Sequence, residues 1–560
     1  MKFGYITLTV ALALGSGTTL AQQDNGSVLR QQQQPPAGVQ KSRPVLPAIQ
    51  GESTPEPPMA PSSQSPTVQV RAFAIEGNHV IPTATLLALV SNAAGRSYTV
   101  ADLNGIAARI TRLYRAKGYF VARAYIPAQE VSSRTITIRV VEGRYDQFDL
   151  RNSSLVKDSV VQGVLDQAKR SGVVSVDSIE RPMLILNDTP GVHVSRADVM
   201  PGSQVGTSDF AIETTPTPRV DGYASLDNYG SRYTGYDRLS FNLDVNSLAG
   251  IGDKLSLSGL STNNGDLYNG RVDYSALLAS NGLRGDVAVF DTTYQLGAAF
   301  SKLDATGDAK GADLGLSYPL RRTQTQTIEA TLAGTYEDLH DDVEQSSTRT
   351  PRTIGSATIG VSLDDKSPLF EMPGETQGRV AVESGDVRIT DAEARALDAA
   401  GAQTEGGFSK LIAQLSRANQ LPESFTLTTA LQWQRVLNDK NLDSSEQMAI
   451  SGWTGVMAYP PEEAIGDNAL VLTGSLSHPL LPIANVRNSL AVFSDYGQES
   501  DVHPLADTPT RHLSDAGVSL TVRYLGATVI ATVAHRLDGG DPQSEDYSRN
   551  KLLAQGVWAF

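Results

Sequence analysis

Apolar residues follow two different rhythms along this chain. Between Val68 and about Val220 they recur at helical spacing, interleaved with short strand-like runs. After Arg219 they recur at every second position and no convincing helix is found. "TVQVRAFAIEGN" predicts a strand with Val68, Val70, Ala72 and Ala74 on one face and Phe73 and Ile75 on the other, turning at Gly77-Asn78. "PTATLLALVSNAAG" predicts a helix with Pro82 early and Gly95 as its stop. "TVADLNGIAARITRLYRAKG" predicts a better one. Thr99 stands as N-cap three residues before Asp102, and Gly118 closes the helix. Leu103, Ile106, Ala107, Ile110, Leu113 and Tyr114 share a face. Two strands follow in "YFVARAYIPAQ" and "RTITIRVVEGRYDQF", giving a β-α-α-β-β unit the size of one small domain.

Residues 150–220 repeat that order less clearly. "SLVKDSVVQGVLDQAKRSG" and "SVDSIERPMLILNDTPG" read as helices, the second with Pro182 in its first turn. "VHVSRADVMPG" and "TSDFAIETTPT" read as strands. Two tandem copies of one unit predict a modular arm.

The remainder alternates. In "YDRLSFNLDVNSL", Leu239, Phe241, Leu243 and Val245 fall on one face and Arg238, Ser240, Asn242, Asp244 and Asn246 on the other. "KLSLSGLS", "TQTIEATLAGTYEDL", "SFTLTTALQWQRV", "GVSLTVRYLGATVIATV" and the final "LLAQGVWAF" behave alike. In a soluble sandwich the apolar faces bury each other. In a large barrel they meet lipid, while the polar faces line a wet lumen. Trp558 and Phe560, closing an alternating last strand, favour the barrel and stand as its assembly signal. At roughly 20–22 residues per tilted strand with its turn, the chain from Arg219 to Phe560 holds about 16 strands.

The N-terminus and the composition fit an exported protein. Met1-Lys2 leads into the short apolar run "YITLTVALALG" and a small residue at Ala21, which reads as a secretory leader over residues 1–21. Residues 22–67 are rich in Pro, Gln and Ser and read as an extended linker, in which "GSVLRQQQQ" has the composition of a short helix. The 560 residues include no cysteine, which excludes a disulfide framework and Cys-based zinc sites. The formal charge of −15 argues against a nucleic-acid partner.

Motifs for catalysis are missing. The sequence contains no G-x-S-x-G, H-E-x-x-H or G-x-x-x-x-G-K-[ST], and its seven histidines lack metal-ligand spacing. The pair His503 and His512 lies in a polar loop and reads as solvated. The acids scattered over lumen faces and loops read as solvated too. No enzyme, metal or cofactor is expected.

Particular residues carry a resemblance. "GYFVARAYIPAQEVSSRTITIRVVEGRY" resembles a polypeptide-transport-associated (POTRA) domain of the hemolysin-activator type, through Gly118-Tyr119, Ile126-Pro127-Ala128-Gln129 and Val141-Glu142-Gly143. "LILNDTPGVHV" resembles a second such domain, with Leu186, Asn187, Asp188, Pro190 and Gly191 in register. "SSEQMAISGWTGVMAYPPEEAIGDNALVLTGSL" and "LAVFSDYGQ" are similar to the same family's barrel. The family is that of the outer-membrane transporters of two-partner secretion.

The resemblance implies POTRA domains over 68–144 and 145–218 and a transmembrane barrel over 219–560. Both POTRA domains would lie in the periplasm, and an N-terminal helix could plug the pore. One large unfolded adhesin- or hemolysin-like exoprotein would be exported without ATP. The implied partners are that client, outer-membrane lipid, periplasmic chaperones and the barrel-assembly machinery. Gly118, Tyr119, Pro127, Gln129, Glu142, Gly143, Asn187, Asp188, Pro190 and Gly191 become candidate client-binding residues. The runner-up reading is an outer-membrane protein assembly factor, against which the two units and the Pro-rich extension argue.

One departure stands out. In the family a loop folds back into the lumen with a Val-Arg-Gly-Tyr tip whose arginine pairs with the aspartate of an F-x-D-x-G strand. Here the tip is Val456-Met457-Ala458-Tyr459, while Phe493, Asp495 and Gly497 match the strand. The acid is kept and the base is gone. The expectation is a tip still inside the barrel, packed through Tyr459 and Pro460-Pro461, with Asp495 beside lumen water or a substitute base.

Overall fold

The computed structural model describes residues 46–49, 67–130, 133–481, 485–504, 510–545 and 548–560. The leader at 1–21 and the candidate plug stretch at 26–34 lie outside the described residues.

The first unit begins with β1 (Val68–Val70) and β2 (Ala72–Glu76), followed by α1 (Thr83–Val90), β3 (Arg96–Tyr98), α2 (Val100–Ala116), β4 (Arg123–Tyr125) and β5 (Thr135–Val141). The single strand expected over "TVQVRAFAIEGN" is broken at Arg71, whose N–H leaves the ladder for the Arg134 carbonyl at 2.7 Å. The break shifts the parity by one. Val68 and Val70 then share the core with Phe73 and Ile75 rather than opposing them. β1 pairs with the unforeseen β3, while β2, β5 and β4 form a sheet in that order, β2 parallel to β5.

Helix α2 follows its sequence signals closely. Thr99 and Asp102 form a reciprocal capping box. At the other end Gly118, at φ 87°, forms a Schellman turn, with Tyr119 N–H donating to the Tyr114 carbonyl and Gly118 N–H to that of Arg115. The Tyr114 and Tyr119 rings meet edge to face at 5.9 Å, the apolar contact such turns favour.

The expected strand "RTITIRVVEGRYDQF" also divides. Gly143, at φ 83°, ends β5, and Arg144–Asn152 becomes β6 of the second unit. That unit continues with α3 (Asp158–Leu165), α4 (Val176–Asn187), β7 (His193–Pro201) and β8 (Thr207–Thr215), its sheet ordered β6-β8-β7. Pro182 sits in the interior of α4 rather than its first turn, because the helix starts at a Ser175 cap seven positions earlier. Leu46 and Ile49, from the segment before the first unit, pack against the core of the second.

The remaining chain closes a sixteen-strand antiparallel barrel. Its first half is β9 (Val220–Asp227), β10 (Arg238–Asn246), β11 (Lys254–Thr262), β12 (Leu267–Leu277), β13 (Arg284–Gln295), β14 (Ala305–Arg322), β15 (Gln326–Val343) and β16 (Thr348–Asp365). Next come β17 (Gly374–Ile389), β18 (Gly406–Gln420) and β19 (Thr426–Val436), then two short strands outside the wall, β20 (Met448–Ala449) and β21 (Ile465–Gly466). The wall is completed by β22 (Asn468–Pro479), β23 (Arg487–Ser500), β24 (Arg511–Tyr524), β25 (Ala527–Asp538) and β26 (Asn550–Ala559), with β26 pairing back onto β9. "GVSLTVRYLGATVIATV" thus spans two strands. Leu525 and Gly526 both take positive φ and form the two-residue hairpin turn between them. A short helix, α5 (Ala392–Ala400), also appears where none was expected, capped by the Asp391 carboxylate.

Alternation in the wall is clean. Leu239 and Phe241 are 51% and 47% exposed on the outside, while Arg238 and Asp244 are buried on the inside. Apolar residues out and charged residues in is the inverse of a soluble fold, and it is what lipid around a polar lumen requires.

Candidate functional site

The arm's signature residues are bound up within the arm. The Glu142 carboxylate accepts the His79 and Val80 N–H groups at 2.7 and 2.8 Å and the Tyr114 hydroxyl at 2.7 Å. It thereby clamps the turn after β2 to helix α2. Burial alone would raise its pKa, but the Val80, His79 and Tyr114 donors outweigh it and hold the carboxyl below the ordinary range. The Tyr114 hydroxyl is pushed the other way, by burial and then by the neighbouring Glu142 charge.

Gln129 acts as a piece of strand. Its amide accepts Thr137 N–H at 2.8 Å and donates to the Thr137 carbonyl at 2.9 Å, extending β5's hydrogen bonding beyond β4. Pro127, half-buried, precedes it and accepts a weaker 3.3 Å bond from the same amide. A Cβ at Gly143 would stand 2.3 Å from Val121 Cγ2, so only glycine fits there.

The second signature builds the junction with the barrel. Asn187 accepts Val194 N–H at 2.7 Å inside the domain. Asp188, at the end of α4, receives both Nε and Nη2 of Arg322 at 2.6 and 2.8 Å, and Arg322 ends β14. Arg181 donates to the Pro319 carbonyl at 2.6 Å, and Gln324 donates to Glu180 at 2.7 Å. Gly191 follows the half-buried Pro190, and a Cβ on Gly191 would meet Ser247 Cβ at 2.6 Å. Lys157 N–H donates to Gly250 at 2.9 Å in the same β10–β11 turn. The arm is therefore seated on the barrel turns at 247–253 and 319–326. Of the ten arm residues, Gly118, Tyr119, Pro127, Gln129, Glu142 and Gly143 belong to the first domain; Asp188 and Gly191 face the barrel turns, and Asn187 is bonded within the second domain.

Residues 437–467, between β19 and β22, turn inward from the opposite end and cross the lumen. Their first half is held by the β14–β19 wall. Leu442 joins Ala309, Leu339, Ile354, Val387, Phe408 and Val436 in an apolar cluster. Asp443 pairs with Arg352 of β16 at 2.7 Å, and Glu446 pairs with Lys410 of β18. Asp467 is wholly buried and accepts Leu442 N–H, Gln447 Nε2 and Val502 N–H at 2.9, 3.0 and 2.9 Å. These acids are not the solvated groups expected from the sequence: the folded loop carries Asp443 and Glu446 into the barrel beside bases on distant strands, and Asp467 among neutral donors.

The second half meets the β22–β25 wall. Ile450, Val456, Tyr459 and Ala464 pack with Ala469, Val471 and Leu513. The tip lies inside. Met457 and Ala458 contact Phe493 and Ala534, and Ala458 N–H donates to Asp515 at 2.6 Å. Tyr459 donates to the carbonyls of Asp538 and Gly540 at 3.1 and 3.0 Å, with the Arg536 guanidinium 5.5 Å from its ring centre. Trp453 stacks on Tyr229 of the β9–β10 loop at 5.5 Å.

Across the wall, Asp495 of β23 lies opposite Asp515 of β24, which lies opposite Arg536 of β25. The neighbour of Asp495 is therefore a second carboxylate rather than the substitute base expected there; Arg536 stands one strand further on, opposite Asp515, and reaches the tip through the Tyr459 ring. Gly497 gives Ile450 its space, since a Cβ there would stand 2.9 Å from Ile450 Cβ.

Trp558 and Phe560 lie together on the outside, rings 5.1 Å apart, and Phe560 exchanges two backbone bonds with Gly222 of β9 at the closing seam. Sequence reading missed Arg352, Lys410, Asp443 and Glu446 as a set. The available signal was a base at a lumen-facing position of β16 and of β18.

Comparison with known proteins places this architecture. Residues 68–143 match the family model of the ShlB-type POTRA domain, and residues 206–524 match that of the haemolysin secretion/activation protein ShlB/FhaC/HecB. The chain is 27% identical over 506 residues to the heme/hemopexin transporter protein HuxB of Haemophilus influenzae (strain 86-028NP), covering 89% of this chain and 88% of that protein. It is 22% identical over 537 residues to the outer membrane transporter CdiB of Escherichia coli, covering 91% and 87%. Among solved structures, CdiB from Escherichia coli superposes with a TM-score of 0.72 at 20% identity, over 91% of this chain and 93% of that one. CdiB from Acinetobacter baumannii gives 0.64 at 14% identity, over 99% and 96%.

Proposed function

This chain belongs to the haemolysin secretion/activation protein family, and on that premise we propose how its parts divide the work of moving an exoprotein outward. It is an outer-membrane transporter of two-partner secretion, with its POTRA arm in the periplasm. The alternative, an assembly factor for other barrels, has less support.

In the proposed division of labour the arm receives the unfolded client and the barrel passes it. The edges of the second small sheet, β6 or β7, offer backbone groups to an extended chain, whereas on the short edge β4 of the first the Ala124 N–H is taken by the Thr111 hydroxyl. Glu142, Gln129, Gly118 and Gly143 hold the first sheet in shape. Asp188 and Gly191 keep the second over the barrel mouth. A lumen lined with charged side chains accepts a hydrated, extended polypeptide, and folding of the client outside prevents its return. Residues 437–467 close the resting lumen and must shift for passage.

The client is a large secreted protein of adhesin or hemolysin type. Because relatives of similar length are heme/hemopexin transporters, an exoprotein that handles heme–hemopexin is the first client to test.

The seating of the arm on the same barrel end, through Asp188–Arg322 and the 247–253 turn, is the observation that carries this reading. Deleting 68–144 should abolish export of a co-expressed client and leave a heat-modifiable barrel in the outer membrane. Unchanged export would remove the receptor role from the arm. Deleting 26–34 should raise pore conductance if that stretch plugs the lumen, and leave it flat if it is only tether.

A further inference from the structure

We propose that the lumen loop of this chain is locked by an acid that the loop carries, Glu463, set into a base on the wall, Arg511, and that the tip at Met457-Ala458 serves as packing. This rests on the reading that residues 437–467 close the lumen.

Glu463 is four residues past the Tyr459 of the tip, and its side chain is 0% exposed. All of its hydrogen-bonding capacity is used. Oε1 receives Arg511 Nη2 at 2.7 Å and Gln543 N–H at 2.6 Å. Oε2 receives Ser544 N–H at 3.0 Å and the Ser544 hydroxyl. Arg511 doubles the link by donating Nη1 to the Glu463 carbonyl oxygen at 2.8 Å. A buried carboxylate with four donors, one of them a guanidinium, is well compensated, and removing the guanidinium leaves a buried charge short of its counter-charge.

The connection also joins three regions far apart in sequence: the loop, the start of β24, and the segment entering β26. The Asp443–Arg352 and Glu446–Lys410 pairs hold the first half of the loop, and among the described contacts of the second half this one carries a full charge on each side. Ala458 offers Asp515 a backbone N–H, Tyr459 offers a hydroxyl to carbonyls, and Met457 offers only apolar surface.

The local backbone is shaped to deliver the carboxylate. Pro460-Pro461 restrict the approach, Glu463 N–H closes a turn on the Pro460 carbonyl at 3.3 Å, and Glu462 takes a left-handed φ of 61°. A non-glycine residue held there costs energy that its surroundings must repay, which is typical of clamps and switches. The polarity of the link explains how the tip tolerates Met457. When the acid rides on the loop and the base on the wall, a tip arginine is not needed to hold the loop.

The test uses the whole chain, refolded into lipid vesicles and planar bilayers. Arg511→Met should increase large-conductance openings by at least about tenfold, as expected when a buried pair biasing a two-state element is broken. Trp453→Cys, introduced into this cysteine-free chain, should become labelled by a water-soluble maleimide at a correspondingly higher rate in the Arg511→Met background than in the parent. Arg511→Lys should recover most of the closed state. Arg511→Met combined with Met457→Arg should also recover it, since the tip would then carry a base beside Asp515. Should Arg511→Met not insert, the near-isosteric Glu463→Gln carries the same expectations.

Openings and labelling unchanged in both Arg511→Met and Glu463→Gln would overturn the lock. If Tyr459→Ala with Ile450→Ala opens the pore while those two variants do not, the loop closes the lumen by other contacts and only the lock fails. If none of these changes conductance, the closing role of the loop fails with it.

Discussion

The arm and the barrel use burial in opposite ways. In the arm the buried side chains include Leu86, Ile110, Ile136, Ile138, Val161, Ile179 and Met183, and among the described residues Glu142 is the one charged side chain buried with them. In the barrel the buried side chains include Arg238, Asp244, Arg352, Lys410, Asp467 and Asp515, and Leu314, Ile359 and Leu552 face outward at 65%, 64% and 65% exposure. Each domain of the arm is held by water leaving its core. The barrel wall is held by closed backbone pairing with lipid outside, so its interior is free to carry charge. One chain can therefore combine a receptor stable in water with a passage polar enough for an unfolded client.

The contrast can be broken by matched substitutions. The largest effect is expected in the arm's core. Ile138→Ala should cost about 2–5 kcal/mol and make the first domain of the full-length protein trypsin-sensitive. The same truncation at Leu314 on the barrel exterior should leave heat modifiability and protease resistance unchanged. Equal effects at both sites would erase the distinction.

Next in size is a charge on the lipid face. Leu243→Arg should cost about 2–4 kcal/mol if it lies near the midplane, read as a lowered urea midpoint in vesicles, while Asn242→Arg toward the lumen should be tolerated. Cysteine scanning over 238–245 with a water-soluble reagent should label alternate positions. Uniform labelling would contradict the register.

A smaller effect belongs to Glu142. Its folded pKa is depressed, so its contribution is present above the unfolded carboxyl's value, roughly pH 4, and is lost as pH falls through the lower folded one. Glu142→Gln should therefore destabilise the first domain at neutral pH by about 1–3 kcal/mol and by less in acid. A pH-independent deficit would mean that the carboxylate's charge is irrelevant there.

Much of this contrast was legible in the sequence. Helix α2 announces itself at both ends through Thr99, Asp102 and Gly118, and the barrel through strict alternation in segments such as 238–246. The strand misreadings share a cause. At Arg71, Gly143 and Leu525-Gly526 one local run serves two strands, and only tertiary pairing decides where it breaks. Pro182 is expected in a first turn by rule, yet the Ser175 capping box, itself a local signal, starts the helix seven positions earlier. Helix α5 is short and sits between strands, although Asp391 and its alanines were visible signals.

The lumen pairs were less accessible still. Arg352 and Asp443, or Glu463 and Arg511, are joined by a loop folding back across the barrel, and no spacing along the chain reports that. The tip could be located because it resembles a motif. Which residue held it could not, because the motif's base was missing.

The smallest effect is expected where the two regions meet. Asp188 is partly exposed, so loss of its pair with Arg322 should change stability by no more than about 1 kcal/mol. Asp188→Asn should instead loosen the arm on the mouth, seen as a broader distance distribution between spin labels placed on α3 and on the 278–283 turn. An unchanged distribution would make the pair incidental to seating the arm.

The central claim is that the charged interior is a passage closed by the chain's own loop. Met448 and Ala449 lie opposite Gly466 and Ile465, so residues 450–464 can be replaced by a two-residue Asn-Gly turn without opening the wall. Single-channel conductance of that protein in planar bilayers, beside the parent, is the most direct measurement. A large, persistently open pore in a protein that still folds as a heat-modifiable barrel is the expected result. A conductance equal to the parent's would contradict it.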